Sequence, residues 1–457
     1  MVCAPVWSSN SGPGGGDDDR DGHEREDRSG SDRERDDSYE DRDREERDIA
    51  DRERDSSGPG SGDKAEIDDR DFDKSGSGGG DDKNGKDRDD DRSGSSRDDG
   101  EHRVRDGDGD WSGFAVWRNE HGDRVRSGEV IFLSSRRDSA ARARAAGFQV
   151  IEEERLTALR VRVMRISVPS GRSEDEVIRG LHSVDPKGTA TFNHIYEPAG
   201  PAIPVSASAI SNQRIKPTKA KIGLVDAGVA AEHAMLARVT VTQRQFGEGG
   251  RRSDLHGTAV ASRLAAAAPG ASIWAANVFT TVLDGQDVAS AYAIARGLDW
   301  LSRQQVAVIN LSLAGPPNPV LEAIAKRMIA KGHILVAAVG NEGPRGAAQY
   351  PAAYDHVVGV TAVDARNRVY IYANQGEAVD FAALGVDAPV ASSTAVEKVS
   401  GTSYAAPIVA AAFARRIAKP SPKQAQAALK ALRRAARDLG APGRDPVYGH
   451  GLIDVAR

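Results

Sequence analysis

From residue 221 onward, short and almost wholly apolar runs alternate with amphipathic stretches. The runs at 222–225, 273–278, 306–313, 334–339 and 357–363 carry few polar interruptions, the pattern of strands buried on both faces of a parallel sheet. Between them, 287–304 and 320–331 read as helices, so the alternation predicts a doubly wound α/β domain over 218–457. In such a domain, functional groups gather beyond the carboxyl ends of the strands. A smaller unit precedes it. Residues 129–133 read as a strand, 136–146 as an Arg/Ala-rich helix stopped by Gly147, and 148–151 and 159–168 as strands, the second ended by Pro169. Ser173 with Glu176 forms a capping box for a helix whose apolar face carries Val177, Ile178 and Leu181. A strand at 189–196 completes the order β-α-β-β-α-β, which predicts a small ferredoxin-like α+β module over 128–197. Prolines 198, 201, 204 and 217 mark 198–217 as a linker, and 111–127 reads as another.

Charge divides the chain differently. Its 457 residues carry a formal net charge of −6, but residues 11–110 hold 38 acidic against 20 basic side chains, net −18, while 111–457 hold 30 against 42, net +12. The acidic stretch has five sizeable apolar residues, Tyr39, Ile49, Ile67, Phe72 and Val104. It cannot bury enough apolar surface to offset the entropy of ordering it, so 1–110 reads as a disordered Asp/Arg/Gly-rich tail. The single cysteine, Cys3, excludes an intramolecular disulfide. No apolar run approaches the ~20 residues of a spanning helix, so no membrane segment is expected. Residues 1–7 lack the basic start and apolar core of a signal peptide. Dispersed arginines without a recognition motif, together with a tail that would repel phosphate, argue against nucleic acid as a partner.

Four polar residues carry the chemistry. Asp226 ends the run 222–225, and His256 opens an alanine-rich helix. Asn341 follows the run 334–339, and Ser403 precedes another small-residue helix. An acid, a base, an amide donor and a hydroxyl nucleophile are the parts needed for acyl transfer. Each alone is weak evidence; four in separate short motifs within one α/β segment are not.

These segments resemble the subtilisin-like serine proteases. The resemblance rests on Ile222-Gly223-Leu224-Val225-Asp226-Ala227-Gly228, His256-Gly257-Thr258-Ala259-Val260-Ala261, Val308-Ile309-Asn310-Leu311-Ser312-Leu313, Ala337-Ala338-Val339-Gly340-Asn341-Glu342-Gly343 and Gly401-Thr402-Ser403-Tyr404-Ala405-Ala406-Pro407, with a closing segment at 445–453. It covers roughly 215–457 and implies a subtilisin-like, mostly parallel sheet and a serine endopeptidase. Ser403 is the implied nucleophile, His256 the base, Asp226 its orienting acid, and Asn341 the oxyanion donor. Ser312, Leu313, Ala314 and Gly315 are the implied substrate strand, with Ala338 and Gly340 in a pocket wall. The module at 128–197 is similar in position, length and order to the family's propeptides, so the protein's own propeptide joins polypeptides as an expected partner, with self-cleavage in 197–217. The resemblance further implies a secreted or periplasmic monomer.

Departures from the family pattern stand beside these expectations. Ala227 occupies a position where the family usually has Ser or Thr supporting the carboxylate, and Gln349 stands where a small residue commonly lines the pocket floor. Residues 265–270 offer no side-chain oxygens, so no calcium is expected where some relatives hold it, and no other cofactor is implied. The chain order Asp, His, Ser excludes an α/β-hydrolase. His256 and Asn341 stand where a sedolisin-like peptidase would have acids. The alternative from another class is an inactive subtilase-fold binding protein that presents the acidic tail to a partner; the missing hydroxyl at Ala227 is its only support.

Overall fold

The computed structural model describes residues 114–199, 205–206, 215–248, 254–282, 285–392 and 395–455. The tail expected at 1–110 and most of the linker expected at 198–217 lie outside the described residues.

The amino-terminal unit comprises β1 (Val116–Arg118), β2 (Arg124–Ser134), α1 (Ser139–Ala145), β3 (Val150–Leu156), β4 (Val161–Ser167), α2 (Glu174–Val184) and β5 (Thr189–Pro198). Its strands pair antiparallel in the order β5-β2-β4-β3, with β1 on the amino-terminal part of β2. Residues 111–127 are therefore not all linker. Asn119 Oδ1 accepts from His121 N and Asp123 N and closes a tight turn that returns β1 onto β2. The helix expected from 136 begins only at Ser139, because Arg136 turns back onto the Asp138 carboxylate. The strand expected to end at 151 continues through Glu152-Glu153-Glu154. Three adjacent acids disfavour a strand, yet here Arg165, Arg162 and Arg296 meet them across the sheet and from the neighbouring domain.

The alternation along β2 explains how this unit sits. Val130 and Phe132 face α1 and α2, with Met164, Ile166, Val177 and Leu181. Ile131 and Leu133 face the other way, into one continuous core with Val161, Val163, Leu298, Leu321 and Ile324. A sheet apolar on both faces needs covers on both; its own helices supply one, and the larger domain supplies the other.

That domain continues with β6 (Val205–Ser206), β7 (Lys221–Asp226), β8 (Thr240–Gln245), α3 (Leu255–Ala267), β9 (Ser272–Asn277), β10 (Phe279–Thr281), β11 (Asp287–Ser290), α4 (Ala291–Arg303), β12 (Val308–Leu311), β13 (Leu313–Ala314) and α5 (Pro319–Ala330). It ends with β14 (Ile334–Ala338), β15 (Val358–Val363), β16 (Phe381–Leu384), β17 (Ala388–Ala391), β18 (Val396–Val399), α6 (Ala406–Ala414) and α7 (Pro422–Ala435). The seven-stranded sheet β16-β15-β14-β12-β7-β9-β8 is parallel throughout. Helices α3 and α6 pack on one face, α4 and α5 on the other. The helix expected over 287–304 divides into β11 and α4, since Ser290 accepts from Ala293 N as the cap of α4 while 287–290 pair with β10 and β5. The strand expected over 306–313 breaks at Ser312 into β12 and β13, which pair in different sheets.

Docking of the amino-terminal unit is polar as well as apolar. Arg165 is held by Glu129, Glu152 and Glu248, and Arg126 bonds Glu248. Asp299 on α4 accepts from Ala158 N and Leu159 N. Asn318 caps α5 by accepting from Val320 N and Leu321 N, which turns its Nδ2 toward Phe192 O and His194 Nδ1, the latter at 2.8 Å. His194 Nδ1 is therefore an acceptor and the ring is neutral. Burial holds its pKa down at about 4, against the opposing pull of nearby Asp123. Because the docked ring takes up a proton less readily than a free imidazole near 6.5, its contribution is complete above that pH and is lost as pH falls toward 4, about 3 kcal/mol at most. Melting of a Ser403→Ala chain is expected to drop across this window, with a shallower slope in Ser403→Ala/His194→Gln; identical slopes would remove His194 from the account.

Candidate active site

The sheet reverses its winding between β7 and β12, and the loops beyond the carboxyl ends of β7, β12 and β14 meet there. Asp226 ends β7, fully buried. Its Oδ1 accepts from Ala227 N at 2.6 Å and lies 2.8 Å from His256 Nδ1. A carboxylate only accepts, so the imidazole proton sits on Nδ1 and Nε2 is left with a free lone pair. Among the described residues that buried Nε2 has no hydrogen-bond partner, and neither has Asp226 Oδ2. His256 occupies the first turn of α3. A Cβ on its neighbour Gly257 would lie 2.4 Å from Ala227 O, so glycine is what lets this helix approach the end of β7.

Ser403 lies in the short turn Thr402–Tyr404 before α6. Ser312 Oγ, itself taking a bond from Asn310 Nδ2, donates to Ser403 O at 3.0 Å. Asn341 follows β14 through Gly340, whose φ of +102° suits glycine. Thr402 donates to Asn341 Oδ1 through both N and Oγ1, which leaves Nδ2 to donate to Ala199 O. Thr402 as the residue that orients the amide was not legible in the motif, because its partner is 61 residues away.

The space among these groups is filled by the end of β5. Ala199 O accepts from Asn341 Nδ2 at 2.5 Å, from Ser403 N at 3.4 Å and from Ser403 Oγ at 2.7 Å. Ala199 N donates to Ser312 O at 3.3 Å. Upstream, Pro198 and Glu197 register opposite Leu313 and Ala314, while Tyr196 and Ile195 register opposite Ala289 and Ser290. The chain thus lies as an extended strand between two antiparallel partners, its carbonyl at two N–H donors and its backbone beside a hydroxyl. The second partner, β11, went unforeseen within the expected helix; Ser290 as an N-cap is the signal that would have separated it.

Gly315 pairs with Tyr350, and its missing Cβ makes room for the Tyr196 ring, whose nearest carbon would be 2.7 Å away. The Tyr196 hydroxyl donates to Pro316 O. Ala338 lies inside β14 opposite Val360. Gly340 is covered by the Gln349 side chain, with Cγ 2.6 Å from where a Cβ would stand. The 920 Å³ cavity beside Ala199 is lined instead by Ala314, Gly315, Asn341, Ala348 and Gln349, among others. Gln349, which lines this cavity, folds over Gly340. After α3 the turn is closed by the chain's own amides, Ala268 N to Leu264 O and Gly270 N to Arg238 O. Among the described residues no group of three or more His, Cys, Asp or Glu side chains is gathered for a metal.

Residues 218–451 match the family model described as the subtilase family. The chain is 32% identical over 266 residues to Subtilisin DY of Bacillus licheniformis, covering 55% of this chain and 94% of that protein. It is 30% identical over 273 residues to Subtilisin E of Bacillus subtilis (strain 168), covering 55% and 68%. To the Minor extracellular protease Epr of the same organism it is 29% identical over 248 residues, covering 51% and 37%. Among solved structures, fervidolysin from Fervidobacterium pennivorans, titled a keratinolytic enzyme related to subtilisin, shares the fold with a TM-score of 0.59 at 19% identity, over 75% of this chain and 63% of that one.

Gly315→Ala in a Ser403→Ala chain is expected to push Tyr196 from its seat, lowering stability by about 1–3 kcal/mol as overpacking does. Melting and limited proteolysis near residue 199 read this out; unchanged values would mean the ring has room to shift.

Proposed function

This chain belongs to the subtilase family and is a serine-type endopeptidase acting on polypeptides, and on that premise we propose that Asp226, His256 and Ser403 act as its catalytic triad and that its first substrate is its own peptide bond after Ala199. The observation that carries this reading is the Ala199 carbonyl, which takes hydrogen bonds from Asn341 Nδ2 and Ser403 N while its chain runs between β11 and β13.

Each step follows from a named atom. Ser403 Oγ leaves Ala199 O, turns to His256 Nε2 and attacks the carbonyl carbon as Nε2 takes its proton. Asp226 holds the imidazolium in orientation through Nδ1–H. The carbonyl π pair becomes an oxyanion, held by Asn341 Nδ2–H and Ser403 N–H where charge develops. Collapse restores the carbonyl, breaks the C–N bond and passes the Nε2 proton to the departing amine. A water molecule, deprotonated by the same Nε2, then hydrolyses the acyl-serine ester and frees Ser403.

Self-processing there would leave the chain up to Ala199, with the module that ends in β5, as an inhibitory propeptide whose last residues fill the cleft by strand pairing. The same occupants describe a preference: a small residue at the position of Ala199 and an aromatic one at that of Tyr196. Closure of the turn after α3 by its own backbone supports the absence of calcium there, and likeness to an extracellular relative supports secretion or a periplasmic location.

A fluorophosphonate probe is expected to label the wild-type protein and not Ser403→Ala, and mass mapping is expected to find a new carboxyl terminus at Ala199 in the former alone. An intact wild-type chain of the same size as Ser403→Ala would sink the self-processing reading. Ala227→Ser puts a hydroxyl on the residue next to Asp226, whose Oδ2 has no hydrogen-bond partner among the described residues, and is expected to raise kcat, by about tenfold for one hydrogen bond to a carboxylate; equal turnover would show that Oδ2 needs no partner.

A further inference from the structure

On the face of the sheet opposite the docked unit, a 450 Å³ cavity lies between α3, α6 and the carboxyl-terminal segment. Its walls are largely aliphatic: Met235, Ala266, Ile408, Leu452, Ile453 and Val455. Two cations line it: Arg437, which is exposed and donates to Asn367 Oδ1, and Arg263, which is set deep. Arg263, on α3, is 5% exposed. Its Nε donates to Tyr404 O at 3.2 Å and its Nη2 to Leu384 O at 2.7 Å. Neither partner is charged, and among the described residues the guanidinium makes no ion pair. Burial alone pulls its pKa down to about 10, with no carboxylate near enough to raise it.

The acids of the same lining are otherwise engaged. Asp364 is taken by Arg368 Nε and by the amides of Arg366 and Arg368, and Asp454 has interactions of its own. A buried cation with only neutral partners is costly, and the two carbonyls it bridges, Tyr404 O and Leu384 O, leave its charge without a counter-ion. Its long side chain carries the charge to a concave apolar space, with Nη1 making no hydrogen bond among the described residues.

We infer that this cavity is a binding site for a small aliphatic carboxylate, the carboxylate ion-pairing with Arg263 and the hydrocarbon chain lying along the Met235, Ile408 and Leu452 side chains. A volume of 450 Å³ lies within the range of small-molecule pockets, about 300–1,000 Å³. The site is remote from the cleft that holds Ala199 but joined to it. Arg263 lies about two helical turns after His256 on α3 and bonds the carbonyl of the residue that follows Ser403. Occupancy therefore bears on the backbone that carries both groups.

The test is calorimetric titration of the full Ser403→Ala chain with octanoate, 1-octanol and acetate. Octanoate is expected to bind with 1:1 stoichiometry and at least about tenfold more tightly than either control, a gap of one decade in Kd. Arg263→Met, close in volume and freed of a buried charge, is expected to melt as a folded protein and lose octanoate binding. Met235→Trp, which fills the cavity without touching the guanidinium, is expected to weaken octanoate at least about tenfold while acetate is unchanged. Octanol binding as well as octanoate would remove the role of the charge, and acetate binding equally would remove that of the tail. Should Arg263→Met not fold, the Met235→Trp titration decides alone: undiminished octanoate binding there overturns the site.

Discussion

The arrangement depends on one run of backbone pairing, the carboxyl end of β5 between β11 and β13. Two antiparallel partners satisfy the strand's amides and carbonyls on both edges, so the chain from Ile195 to Ala199 has little freedom in register. A slip of one residue would turn Tyr196 out of the space left by Gly315 and move the Ala199 carbonyl away from Asn341. Side-chain packing and backbone register thus specify the same alignment, and the carbonyl that meets Ser403 is fixed by contacts made three residues upstream.

That strand cannot hold its position alone. It belongs to a sheet whose second apolar face, Ile131, Leu133, Val161 and Val163, is buried on α4 and α5. The acids and arginines around this face, Glu129, Arg165, Glu248 and Arg296, pair with one another rather than with water. Removing one partner would strand a charge in a dry interface, which is a larger penalty than the pair is worth as a bond. The apolar face supplies affinity, and the ionic network restricts the orientation in which that affinity is available. The other sheet, whose parallel strands end together, delivers Asp226, Ser312 and Asn341 to one rim.

Much of this was readable along the chain. Apolar runs flanked by glycine and capping residues located five of the seven parallel strands to within a residue or two, since strands buried on both faces have no polar side to blur them; the polar edge strand β8 and the short β16 were missed. Asp226, His256, Asn341 and Ser403 were legible because each follows a strand or opens a helix whose pattern is strong. Residues 287–290 were not. Their apolar and polar spacing suits a helix, and only pairing with Phe279–Thr281 and β5 makes them a strand. Residues 152–154 failed for the opposite reason: three glutamates read as a break until arginines from β4 and α4 are beside them. In both cases a long-range partner outweighs local propensity.

The sequence by itself determined the class of most elements of the parallel core, and it marked the four polar residues at strand ends and helix starts in the order in which they arise, because periodicity and capping are local and survive in one dimension. Tertiary structure alone decided which chain segment faces those residues. Ala199 lies 142 residues before Asn341 and 204 before Ser403, and nothing local in Tyr196-Glu197-Pro198-Ala199 marks it as the occupant. The same holds for Gln349 folding over Gly340 and for Arg263 reaching an aliphatic cavity. Such facts concern the space between elements, and that space exists only once the sheets have packed.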